Sequence, residues 1–306
     1  MRRWLFILSG LAFAACGPSG GMEGYTPSDD DEYGDEYFPG TSGKADGVSL
    51  PYTPLAFDRA CEPGERLTIA AVGDLLLHGR LQVQAFDRSD GYLSLWQGVR
   101  DLLSKADITY ANLEGPTAAG VDSYGRAVGD PGPVFDNRVY TSYPMFNYHP
   151  SLLDDLIDSG VDVVSTANNH SLDRRALGVD RTIEALRERG LAFCGTRHRD
   201  EPDPRWYALT EANGFTLAWI ACTYGTNEIP DNRGQVLHCY QDTAFIEGLV
   251  GELADDPAID AVLVTPHWGY EYHANPDSRE VALAHRLLDA GALAIIGSHP
   301  HVLQPW

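Results

Sequence analysis

The chain has 306 residues, 43% of them hydrophobic, enough to bury one large core and to exclude a fibrous, repetitive or wholly disordered protein. Acidic residues outnumber basic ones 44 to 22, a formal net charge of −22. A field of that sign repels phosphate backbones and argues against nucleic-acid binding, although a bound divalent cation inverts it locally.

Residues 1–16 have a basic start, an apolar run shorter than a membrane-spanning helix and a small-residue end. They predict a secretion leader. Phe13-Ala14-Ala15-Cys16 resembles the bacterial lipobox, which makes Cys16 a candidate for lipidation; the alternative is an ordinary signal peptide with a chance cysteine. Gly17, not an Asp, follows that cysteine, so a lipidated form is expected in the outer membrane or facing the periplasm. Residues 17–60 are rich in Gly, Ser, Pro and acids and read as a flexible tether; the run Asp29-Asp30-Asp31-Glu32 fits no calcium-loop spacing. The folded domain is expected over residues 61–306. Beyond Cys16 four cysteines remain, an even number for an exported chain. Cys222 and Cys239, separated by a single polar loop, are the preferred disulfide, with buried free thiols as the alternative.

Apolar runs and amphipathic stretches then alternate. Strands are expected at Leu67–Val72, Asp107–Ala111, Val161–Thr166, Leu191–Cys194, Trp206–Leu209, Phe215–Cys222, Ala261–Thr265 and Ala292–Ile296. Helices are expected at Leu93–Ala106, from a Ser151 cap through Ile157, at Val179–Arg189, Ala244–Leu253 and Ser278–Ala290. Asn213-Gly214 is a strong hairpin signal between two of the strands. This alternation predicts a layered α/β fold.

The residues able to bind a metal follow five of those strands: Asp74; Asn112 and Glu114; Asn168, Asn169 and His170; His267; and His299 with His301. Each has an ordinary reading taken singly, since Gly-Asp is commonly a turn, Asn168-Asn169 an Asx turn and a histidine after a strand a core or surface residue. In an open α/β sheet, however, strand ends converge on one crevice, and carboxylates, amides and imidazoles together suit a dinuclear hydrolytic site for Mn, Fe or Zn.

Five blocks, Ala70–Asp74, Ala111–Glu114, Ala167–Asp173, Pro266–Tyr272 and Ile296–His301, together resemble the CapA family of capsule-synthesis proteins, within the calcineurin-like metallophosphoesterase superfamily; Tyr224–Pro230 also fits. The resemblance covers Leu67 to the C-terminus. It implies a four-layer α/β/β/α sandwich with mixed sheets and two divalent ions. Asp74, Glu114, Asn169, His267, His299 and His301 would be metal ligands, with His78, four residues past Asp74, standing in for the histidine that relatives carry two residues on. His170 would stabilise or protonate a leaving alkoxide, and Asn112 and Asp173 would steady the ligands. Relatives normally continue past the His-x-His block with further strands, so either those final strands are absent here or the chain is a C-terminally shortened variant.

The implied role is metal-dependent hydrolysis in the synthesis, export or anchoring of an envelope polymer such as poly-γ-glutamate. The partners expected are an anionic polymer or a phosphoester substrate, and the membrane through the lipid. Two rivals are a non-catalytic envelope lipoprotein that holds an anionic polymer and a periplasmic nucleotidase or phosphodiesterase. The basic cluster beside the Asn-Asn-His block, Arg174, Arg175 and Arg181, reads as a solvated helix face.

Overall fold

The computed structural model describes residues 6–9 and 66–305. The lipidation candidate Cys16, the tether over 17–60 and Cys61 lie outside the described residues. Phe6–Ser9, inside the apolar run read as a leader, is strand β1 and pairs in parallel with β2, Thr68–Asp74. Then come β3 (Ile108–Asn112), β4 (Val163–Ser165) and β5 (Ala192–Cys194), each parallel to the one before, in the order β1-β2-β3-β4-β5. Such a sheet is buried on both faces, so its strands are continuous apolar runs. Every residue of β3 and β4 is buried.

The second sheet has the order β6-β7-β8-β9, from Tyr207–Ala212, Phe215–Thr223, Ala261–His267 and Ala294–Ile295. Here β6 and β7 are an antiparallel hairpin, while β8 and β9 run parallel to β7. The hairpin turns at Asn213-Gly214, both with positive φ, as a two-residue turn between right-twisted strands requires. Only this second sheet is mixed; among the described residues the first is wholly parallel.

The sheets face each other across a core that includes Ile69, Tyr110 and Val163 from one and Leu217, Trp219 and Leu263 from the other. The Tyr110 and Trp219 rings stack at 5.4 Å between centroids, and the Trp219 indole N–H donates to Thr210. Helices α4 (Ser151–Asp158) and α5 (Arg175–Arg189) cover the outer face of the first sheet, burying Leu152, Leu153, Leu156, Ala185 and Leu186. Two further helices, numbered α6 (Thr243–Asp255) and α7 (Ser278–Asp289), cover the second sheet with Ile246, Val250, Leu283 and Leu287. The result is the four-layer α/β/β/α sandwich.

Several local expectations are corrected. The helix expected at Leu93–Ala106 is two single turns, α2 (Leu93–Trp96) and α3 (Arg100–Leu103), parted at Gln97-Gly98, where glycine is a poor helix former. Leu102 is consequently exposed. Ser151 is not the cap of α4: Pro150 holds that position, and the Ser151 hydroxyl pairs with the His149 ring instead. Ile157 is on the exposed side of α4. A true capping box begins α7, where Asp277 accepts from the Glu280 amide and the Glu280 side chain returns to the Asp277 amide. The first helix after β2, α1 (Gly79–Phe86), has no counterpart in the sequence reading.

Residues 115–150 form a long irregular excursion between β3 and α4. It is fastened by Asn147, which bonds both Ala118 and Val139, and by Arg174 at the edge of α5.

Candidate metal centre

The C-terminal ends of β2, β3, β4 and β8 and the segment after β9 meet at one edge of the sandwich. β2 ends in Asp74, which lies in register with Asn112 at the end of β3, and β8 ends in His267. The Asn112 amide donates to Asp74 at 2.8 Å and lies 3.1 Å from His267 Nδ1, tying the two sheets together. Around this tie, His267 Nε2 is 2.9 Å from Asn169 Oδ1 and 3.6 Å from Glu114, and its Nδ1 is 2.9 Å from the Ser298 hydroxyl. His301 Nδ1 is 2.9 Å from Asp74, and the His267 and His299 ring centroids are 4.7 Å apart.

Among the described residues, three groups of side chains bring potential ligand atoms within 4.8 Å of one another: Glu114, His267 and His299; Asp74, Glu114 and His301; and Glu271, His299 and His301. They overlap, sharing Glu114, His299 and His301, and could hold divalent metal. Glu114 is buried with neither carboxylate oxygen hydrogen-bonded, and His299 Nδ1 is equally orphaned. Buried polar atoms are rarely left so, and a cation bound between them would satisfy all three.

The electrostatics agree with that donor set. Burial, aided by the Asp74 carboxylate, pushes the Glu114 carboxyl up to about 10. Burial raises Asp74 too, but the His301 hydrogen bond, the His267 ring and the Asn112 amide outweigh it and hold Asp74 below the usual carboxylate range. Burial drives His267 well below its ordinary value, and burial with the adjacent His301 brings His299 down to about 4. Both rings are therefore neutral at physiological pH, with lone pairs to offer a metal.

Beside this cluster stands His170. Its Nδ1 is 2.7 Å from Asp173, whose same oxygen accepts the Phe146 amide, and the Phe146 ring meets the His170 ring edge-on. The Asx-turn reading holds for Asn168, which accepts the His170 amide, while its neighbour Asn169 turns into the site. His78 stands apart from the three groups. It is exposed at the start of α1 with its ring edge-on to Phe146, because four residues past Asp74 the chain has already turned into that helix.

Sequence reasoning missed Glu271, although it lies in the Pro266–Tyr272 block four residues after His267, and it assigned no role to Asn227, whose side chain contacts Asn169 and His170. Asn227, Tyr272, His299 and His301 all hold positive φ, a backbone cost that clusters at functional sites.

Residues 68–306 match the family model described as bacterial capsule synthesis protein PGA_cap. The chain belongs to this family. As a PGA_cap member it is 29% identical over 254 residues to the capsule biosynthesis protein CapA of Bacillus anthracis, covering 78% of this chain and 56% of that one. It is 27% identical over 251 residues to the PGA biosynthesis protein CapA of Bacillus subtilis, covering 78% and 58%. An uncharacterised protein of Sinorhizobium fredii, y4sH, is 24% identical over 312 residues. The chain thus spans a little over half the length of the two CapA proteins.

Proposed function

We propose that this chain is a divalent-metal-dependent hydrolase of the metallophosphoesterase type, acting in the synthesis, export or anchoring of an acidic envelope polymer such as poly-γ-glutamate. The observation that carries the reading is Glu114, buried and unpartnered where the ligand groups overlap. The names of the two CapA relatives, a capsule and a PGA biosynthesis protein, support the polymer class. Asp74, Glu114, Asn169, His267, His299 and His301 would hold two ions, and the mixture of oxygen and imidazole donors suits Mn, Fe or Zn. Divalent ions there supply Lewis acidity toward the scissile group and make water nucleophilic near neutral pH.

The chain's own residues do the rest. Asp173 engages His170 Nδ1, so Nε2 is the ring atom left to give a proton to the departing group. The Phe146 ring packs edge-on against the same ring, and the Asn227 amide lies 3.4 Å from Nδ1, on the Asp173 side. No helix among the described residues is long and apolar enough to cross a membrane. Attachment through lipid on Cys16, after export, is the proposed route to the envelope.

The test is metal analysis of the purified protein, then assay against phosphoester and γ-glutamyl substrates with and without chelator. Metal-dependent turnover is expected. His170→Ala should keep the metal and lose about 10²–10⁴-fold in rate, the usual contribution of a general acid. Bound metal with no turnover on either panel would replace the enzyme with a non-catalytic polymer-holding lipoprotein.

A further inference from the structure

Arg175, Arg199 and Arg233 come from the start of α5, the loop after β5 and the loop after β7, and they line a single cleft of about 570 Å³. On a chain with a net charge of −22, composition gives no reason for guanidinium groups to gather there. Arg199 is committed, since its side chain and its amide both bind the buried Asp180. The other two are available. The Arg175 guanidinium donates only to the Leu172 carbonyl at 3.4 Å, and the Arg233 side chain has neither hydrogen bond nor ion pair among the described residues.

Two carboxylates share the lining. Asp231 is engaged by the backbone, its oxygens accepting the amides of Arg233, Gln235 and Val236. Glu228 is exposed and unpaired among the described residues. The cleft therefore offers two guanidinium groups without a carboxylate partner among the described residues and one carboxylate acceptor. It also adjoins the metal centre: Leu172, in its wall, is two residues from His170, and Glu228 directly follows Asn227, which touches Asn169 and His170.

We infer that this cleft seats the acidic polyamide chain on which the neighbouring site acts, with Arg175 and Arg233 binding its carboxylates and Glu228 accepting its amide N–H. The inference rests on the polymer-hydrolase reading above for its substrate, but on the cleft alone for its residues. A guanidinium matches a carboxylate in two parallel hydrogen bonds, and the volume is that of an ordinary ligand site. A polyphosphate also offers oxyanions. It has no N–H donor for Glu228, however, and meets repulsion there.

Binding is measured by calorimetry at low salt on metal-loaded His170→Ala full-length protein, with poly-γ-glutamate oligomers and polyphosphate of matched length as probes. Polyglutamate is expected to bind the more tightly, and Arg175→Gln and Arg233→Gln each to weaken it on the order of tenfold. Arg233→Gln removes a side chain with no partner, so its fold is secure; circular dichroism checks Arg175→Gln. Unchanged polyglutamate affinity in both variants, or tighter binding of polyphosphate, overturns the inference. Arginine-dependent binding in a protein that hydrolyses neither substrate panel would leave the cleft standing and bring down the hydrolase reading alone.

Discussion

A carboxylate whose two oxygens are buried without partners costs several kcal/mol unless it is protonated or bound to a cation. Glu114 is in that position, with Asp74, His267 and His299 around it. Replacing it with glutamine removes the acidic group and one proposed metal ligand together. In chelator, Glu114→Gln should unfold at or above the wild-type temperature. With excess Mn or Zn, at a hundred to a thousand times the dissociation constant, wild type should gain about 3–4 kcal/mol and the variant little. Thermal unfolding with and without metal measures this; equal stabilisation of both proteins would remove Glu114 from the centre. Cys194 illustrates the opposite kind of burial. Desolvation pushes its thiol up to about 12, which fits a packed core residue and no reactive one.

At the scale of elements, two clamps hold the surroundings of the site. The first is Arg174, fully buried, whose guanidinium donates to the carbonyls of Val121, Val139 and Met145 and to the Thr141 hydroxyl. Burial brings it down to about 10. Gly178 one turn along α5 makes room, since a Cβ there would collide with the Arg174 side chain. Arg174→Met should cost about 3–5 kcal/mol, because several buried acceptors lose their donor at once. Urea denaturation should report that loss, and limited proteolysis should find new cuts between residues 120 and 145. An unchanged midpoint would mean the excursion is held some other way. The second clamp is the Cys222–Cys239 disulfide, which closes a loop over a separation of 17 residues that carries Asn227. In the chain-entropy model such a loop is worth about 3 kcal/mol. Cys222→Ser with Cys239→Ser should lose about that much, read as a shift of the denaturation midpoint on non-reducing preparations.

For the molecule as a whole, the site exists only while both sheets stay packed, because Asp74, Glu114 and Asn169 come with one and His267, His299 and His301 with the other. Trp219 is the largest fully buried side chain between them, stacked on Tyr110. Trp219→Ala should cost about 3–5 kcal/mol and lower metal affinity in parallel, although the indole touches none of the proposed ligands. Retention of full metal affinity in a protein that has lost that much stability would show the centre to be held within a single sheet.

The chain itself carried the strand and helix alternation, the carboxylates, amides and imidazoles after five of the strands, and the Cys222–Cys239 pair. These are local signals: a β-branched run such as Val161–Thr166 or a turn such as Asn213-Gly214 acts over a few residues and needs no partner to be read. The break at Gly98, the cap at Pro150 and the first helix α1 were less legible, because short helices owe their existence to packing more than to propensity. What only the tertiary structure decided is which side chains meet. Arg174, Arg175 and Arg181 are near neighbours in sequence and looked like one solvated face. In the fold the first is buried under a loop, the second joins Arg199 and Arg233 at a cleft, and only the third lies on the surface, paired with Glu184. Glu271 and Asn227 entered the site in the same way. A side chain's neighbours across sheets and loops depend on register and chain crossings, which no short window of sequence encodes.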